Sequence, residues 1–139
     1  MLVYVGLGGN LGDRMGHLKR AVLDINQVWG DSLMLSSVYE TEAWGMPEGT
    51  PKFFNAVGAW NTHDSMDQIW NELAAIESAA GRVREDASTT YMSRTLDCDV
   101  LAIDGRALRS HQLTVPHPRL ASRRFVLEPL AEIAPDLWI

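Results

Sequence analysis

Two aspartates, Asp97 and Asp99, flank Cys98 in the stretch SRTLDCDVLAID, Ser93 to Asp104. Leu96 precedes them and Val100, Leu101, Ala102 and Ile103 follow, a run that reads as a buried strand. Alternate strand residues share a face, so both carboxylates point the same way. Like charges held that close raise each other's proton affinity unless something positive sits between them. Oxygen ligands in this pattern suit Mg²⁺, a hard cation that takes one or two carboxylates and completes its shell with substrate phosphates. A pair of strand-edge aspartates capping loops is the plainer alternative. It fits less well, because the strand is otherwise apolar on both faces.

The cations nearby are all of one kind. From Arg82 to Arg124 there are eight arginines, Arg84, Arg94 and Arg123 among them, and no lysine. The guanidinium fork matches phosphate or carboxylate oxygens two at a time. Around the Asp97/Asp99 pair, this bias tilts the reading from solvated loops toward a polyphosphate ligand. His117, in VPHPR, is either a turn residue or a neighbour of that phosphate site, and the pattern leaves both open. Asn55 is a polar residue inside the strand KFFNAVGAW, where its amide must find partners or carry a desolvation cost. It either bonds a neighbouring loop or uses its paired donor and acceptor to read a flat heterocycle. Phe53 and Phe125 would be its aromatic neighbours, with core packing as their default role.

The elements that position these residues follow from periodicity. Residues 2–8 form a first strand ending in glycines. Leu18, Ala21, Val22, Ile25, Val28 and Trp29 mark a helix that Gly30 closes. Residues 33–41 and 52–60 read as two strands joined by a loop with two glycines and two prolines. A second helix runs from about Ser65 to Ala80, with Ser65 and Gln68 as a capping box. The aspartate strand comes next, then a short strand near Leu113–Val115 and a short helix at Val126–Ile133. The order β-α-β-β-α-β predicts an α+β, ferredoxin-like fold: an antiparallel sheet with helices packed on one face. The other face is left for a ligand.

At 139 residues the chain is expected to be a single domain, 1–139, large enough to bury a core without disulfides. A net charge of −6 gives no overall footprint for nucleic acid. No apolar run approaches the roughly 20 residues that span a membrane, and the first nine residues are too short for a signal peptide. One cysteine fits a reducing compartment, so a cytoplasmic location is expected. Gly6, Gly8 and Gly12 imitate a dinucleotide fingerprint, but the parallel βα units such a fold needs are missing. They read better as a strand-to-helix turn, with Asn10 or Asp13 as the cap. No Gly-Lys-Ser/Thr phosphate loop occurs.

GLGGNLGDR, FFNAV, GRVR, RTLDCDV and LTVPHPRLASRRFVLEPLAEIAP follow one another across nearly the whole chain. In this order they resemble the 6-hydroxymethyl-7,8-dihydropterin pyrophosphokinases of the folate pathway, with R-T-L-D-x-D and V-P-H-P-R the most diagnostic. The resemblance implies a Mg²⁺-dependent transfer of pyrophosphate from ATP to the pterin hydroxymethyl group, with AMP released. It implies that Asp97 and Asp99 hold two Mg²⁺ ions and that Arg82 and Arg94 neutralise the transferring group. Glu77, Arg84, Val100, Thr114, His117 and Arg123 would surround ATP. Asn55 would read the pterin edge, Phe53 and Phe125 would stack on its faces, and Thr41, Ala43 and Trp44 would offer backbone groups. The irregular stretches 44–52 and 82–93 would close over the substrates. The implied partners are these two small molecules, with the chain acting as a monomer. Departures from the family pattern are Gly9 in place of the usual Ser, Tyr91-Met92-Ser93 before Arg94, Gln112 where a basic residue is frequent, Ala74 where a polar one is, and Phe53 for Tyr.

Overall fold

A computed structural model describes residues 1–43, 46–81 and 95–137. The elements are β1 (Leu2–Gly9), α1 (Arg14–Trp29), β2 (Met34–Leu35), β3 (Tyr39–Thr41), β4 (Phe53–Asn61), α2 (Met66–Ala79), β5 (Asp97–Ile103), β6 (Leu108–Arg109), β7 (Thr114–Val115) and α3 (Arg124–Ile133). A 3-10 turn, Leu120–Ser122, leads into α3.

β4 pairs β1 and β1 pairs β5, both antiparallel, while β2 and β3 share the outer edge of β4. That is the antiparallel sheet expected from the element order. The strand expected over 33–41 is split in two, and Ser36 shows why. Its backbone N–H still donates to the Val57 carbonyl, but its side-chain oxygen accepts from the Val57 N–H, each at 2.8 Å. A hydroxyl has replaced a ladder carbonyl, and the pairing breaks there.

α1 and α2 pack on one face. Leu18, Ala21 and Ile25 of α1 and Ile69, Leu73 and Ile76 of α2 bury against Val3, Val5, Leu7, Trp60, Cys98 and Val100. Both helices start as the sequence indicates. Asp13 caps α1 by accepting from the Gly16 N–H at 3.0 Å. Ser65 and Gln68 exchange the two bonds of a capping box at the start of α2.

α3 lies on the opposite face. Val126, Leu130 and Ile133, with Leu120, pack on Tyr4, Val57, Ala59, Leu101 and Ala102. A bulge makes this possible: pairing jumps from Tyr4–Ala102 to Val5–Val100, leaving Leu101 as the extra residue. Leu101 and its neighbour Ala102 therefore both serve the α3 side. So α3 roofs one half of the second face, and the half bearing Phe53, Asn55, Gly8, Asp97 and Asp99 lies beyond its packing residues.

Candidate active site

One rung of the sheet assembles residues from both halves of the chain. Tyr39 pairs with Asn55, Asn55 with Gly8, and Gly8 with Asp97. One step along β1, Gly6 faces Asp99. Side chains at these positions share a face, so the two aspartates stand on one side of a floor made of glycine backbone and Asn55 stands on the other. Two strand spacings separate Asn55 from Asp97, roughly 10 Å between backbones.

Gly8 is a matter of space. A Cβ there would sit 2.7 Å from Asn55 Oδ1, closer than side chains approach. Asn55 is 7 % exposed, and its Nδ2 donates to Thr41 Oγ1 at 2.7 Å. The amide is thus oriented from the β3 side. Phe53 pairs with Thr41 two rungs along, with its side chain on the Asn55 face. The Ala43 carbonyl accepts from the Met46 N–H at 3.2 Å.

The positive charge that the acid pair calls for comes from the start of α3. Arg123 Nη1 lies 3.4 Å from Asp99 Oδ2, and its guanidinium carbon is 5.8 Å from the centre of the Phe125 ring. One short segment therefore brings a cation to the aspartates and an aromatic ring beside it.

A cavity of about 220 Å³ opens on the far side of β5. It is lined by Glu77, Asp99, Val100, Thr114 and His117, together with Trp70, Leu73, Ala74 and Gln112. Five of the residues expected near a triphosphate thus meet at one concavity. Glu77 is 3 % exposed, and its Oε2 accepts from the Cys98 N–H at 3.4 Å. The His117 backbone N–H donates to the Leu101 carbonyl at 2.8 Å, which fastens the segment to β5. His117 Nδ1 accepts from the Arg119 N–H at 3.1 Å. Burial first, and then the Arg123 charge, push the imidazole below its ordinary pKa, with Asp97 pulling the other way. The neutral ring then carries its proton on Nε2, which is free to donate toward a ligand.

Trp44, Arg82, Arg84 and Arg94 fall outside the described residues. Trp70 and Leu73 serve both the apolar core and the cavity wall, a second role that the sequence reading of this helix did not include. The signal was available: 70, 73, 74 and 77 fall at i, i+3, i+4 and i+7, one helical face that includes Glu77. Gly8 was read as turn chemistry, whereas its structural requirement is the Asn55 amide across the strand.

The sequence pattern of the 7,8-dihydro-6-hydroxymethylpterin-pyrophosphokinase family matches residues 4–135. The chain belongs to this family. Among curated pyrophosphokinases named for 2-amino-4-hydroxy-6-hydroxymethyldihydropteridine, the protein of Methylorubrum extorquens is 39% identical over 98% of this chain and 84% of its own length. That of Porphyromonas gingivalis is 37% identical over 99% and 92%. The Synechocystis protein is 38% identical over 97% and 67%.

A pyrophosphokinase of this family calls for a divalent cation, and the donor set fits one. Asp97 and Asp99 present hard oxygen donors on one face. Among the described residues no third His, Cys, Asp or Glu completes a protein cage. Two such carboxylates suit Mg²⁺, which keeps water and takes phosphate oxygens for its remaining positions.

Proposed function

We propose that this chain transfers the β,γ-pyrophosphoryl group of ATP to the hydroxymethyl oxygen of 6-hydroxymethyl-7,8-dihydropterin, releasing AMP. The observation that carries the reading is the glycine floor, with the buried Asn55 amide on one side and the Asp97/Asp99 acid pair on the other. In this arrangement Asn55 holds the pterin edge, with Phe53 and Phe125 against its faces and Thr41, Ala43 and Trp44 at its rim. Glu77, Val100, Thr114 and His117 line the nucleotide cavity, and Arg84 and Arg123 add charge around the triphosphate.

Two Mg²⁺ ions held by Asp97 and Asp99 would neutralise the phosphate oxygens and orient the chain of phosphates. The protein's own contribution is position and charge. Phosphoryl-type transfer asks little covalent chemistry of the enzyme. Asn55 and the aromatic rings fix the hydroxyl on one side of the floor, and the cavity residues fix the β-phosphorus on the other. Orientation of this kind contributes roughly 7–11 kcal/mol to lowering a barrier. Arg82, Arg94 and Arg123 would stabilise charge as the bond between the β-phosphorus and the AMP oxygen breaks and the new bond to the pterin oxygen forms. With Nδ1 taken by the Arg119 N–H, His117 offers Nε2 to the phosphates as a donor.

Two small-molecule substrates, action as a monomer and a cytoplasmic setting complete the reading. The family match supports folate biosynthesis as the pathway it serves. The test is to incubate the protein with ATP, Mg²⁺ and the pterin and to identify the nucleotide product. AMP formed only when the pterin is present is the expected result. ADP, or AMP formed without pterin, would overturn it.

A further inference from the structure

Arg14 lies at the start of α1, on the helix-bearing side of the sheet and away from the glycine floor. Its Nη1 makes two contacts: 2.9 Å to the Lys52 carbonyl, where it donates, and 3.2 Å to Glu40 Oε2. The guanidinium also stacks over the Phe54 ring at 3.9 Å from its centre. Glu40 belongs to β3, whereas Lys52 and Phe54 lie just before and within β4. One guanidinium therefore ties together the last residues before the 42–51 connection and the first residues after it.

Glu40 pairs with Phe54 in the sheet, and the rungs on either side are Tyr39–Asn55 and Thr41–Phe53. Side chains alternate between faces, so Arg14 clamps the middle rung from below while Thr41, Phe53 and Asn55 face the site above it. The Thr41–Asn55 hydrogen bond of 2.7 Å crosses this same pair of strands. Asn10 adds a second fastening from the same turn: its side chain is buried, and Nδ2 donates to the Pro51 carbonyl at 3.0 Å. An outer ion pair, Lys52 Nζ to Glu42 Oε1 at 3.3 Å, links the same two chain ends.

We infer that Arg14 is a positioning residue for the pterin end of the site. It sets the separation and register of β3 against β4 and thereby the pose of the Asn55 amide. The inference rests on the pterin reading of Asn55 given above. Arg14 touches no substrate, because the sheet lies between them. Its planar fork suits this role, since it stacks on a ring while donating to a carbonyl and a carboxylate, which a lysine ammonium cannot reproduce in full.

The test compares Arg14→Gln, Arg14→Lys and wild type by initial rates of AMP formation, varying pterin and ATP separately, with thermal unfolding of each protein in parallel. Arg14→Gln is expected to raise the pterin KM roughly tenfold, the scale of one lost hydrogen bond to a charged group, and to leave the ATP KM within about twofold. Arg14→Lys should recover part of the pterin affinity. An unchanged pterin KM, or equal rises for both substrates, would overturn the inference. If Arg14→Gln does not fold, Glu40→Gln carries the test: it keeps the Lys52 contact and should give a smaller, equally pterin-selective rise. A change that is not pterin-selective there also overturns the inference. Wild-type protein that makes no pterin-dependent AMP would instead bring down the functional reading, and this inference with it.

Discussion

Replacing Gly8 by alanine adds one methyl group to the floor of the site, and the structure says where it goes. The new Cβ would lie 2.7 Å from Asn55 Oδ1, whereas ordinary contact begins near 3.4 Å, so the amide must retreat by about 0.7 Å. It has little room to do so, because its Nδ2 is bonded to Thr41 Oγ1 at 2.7 Å and the residue is buried. Overpacking of this kind costs about 1–3 kcal/mol of stability. An amide displaced that far loses most of two hydrogen bonds to a heterocycle, about 1–3 kcal/mol, or roughly 5- to 150-fold in pterin affinity. Gly6→Ala is the internal control. Its Cβ would meet Leu101 Cδ2 at 3.2 Å, only about 0.2 Å inside ordinary contact and not against Asn55, so the pterin KM should move by less than about threefold. The assay is steady-state AMP formation at saturating ATP with the pterin varied, alongside thermal unfolding. A folded Gly8→Ala protein with a pterin KM within twofold of wild type would refute the reasoning. So would equal effects from the two glycines.

Asp97→Asn should abolish turnover and weaken Mg²⁺-dependent ATP binding in calorimetry while leaving pterin binding intact; a near-normal rate would mean the acid pair is structural. His117 has a folded pKa below its ordinary 6.5, so the unfolded chain takes up the proton first as pH falls. The stability this confers is full above about pH 6.5 and is lost as pH drops through the depressed value. Denaturant unfolding of metal-free His117→Gln should therefore show a shallower loss across that window, and a slope equal to wild type would contradict the shift. Gly58→Ala would drive a Cβ into the Trp60 ring, beneath the sheet and away from the substrates. It should lower stability by about 1–3 kcal/mol in urea unfolding with kcat little changed, and a loss of kcat at full stability would argue against a purely packing role.

The parts of this molecule that the sequence made legible are those fixed by local pattern. Alternation put Asp97 and Asp99 on one face, and the structure keeps them there because the register with β1 is unbroken between Gly8–Asp97 and Gly6–Asp99. The Ser65–Gln68 capping box formed because its partners lie within one turn. What stayed hidden depends on residues distant in the chain. Nothing near Ser36 announces that its hydroxyl will substitute for a ladder carbonyl opposite Val57. The apolar stripe of α3 shows that the helix buries one side, but not which face of the sheet receives it. That choice rests on the β5 bulge, which turns Leu101 and Ala102 toward it together. The requirement for glycine at position 8 comes from an amide 47 residues further along, so spacing within the glycine-rich stretch could not reveal it.

The place of α3 has a consequence for how the protein comes into being. Its far end is fastened to the early edge strands: Glu132 accepts from Tyr39 Oη at 2.6 Å and from the Ser37 N–H at 2.9 Å. Its near end brings Arg123 and Phe125 to the aspartates. A ribosome releases these residues only after every strand of the main sheet has been made. Domains gain structure as they emerge, so the growing chain can pair its sheet while Tyr4, Val57 and Ala59 still lack their cover. Until α3 docks, those residues are an open apolar surface and Asp99 has no Arg123 beside it. Closing the core and finishing the site are then one event, and a nascent chain halted before residue 123 should be both sticky and inert.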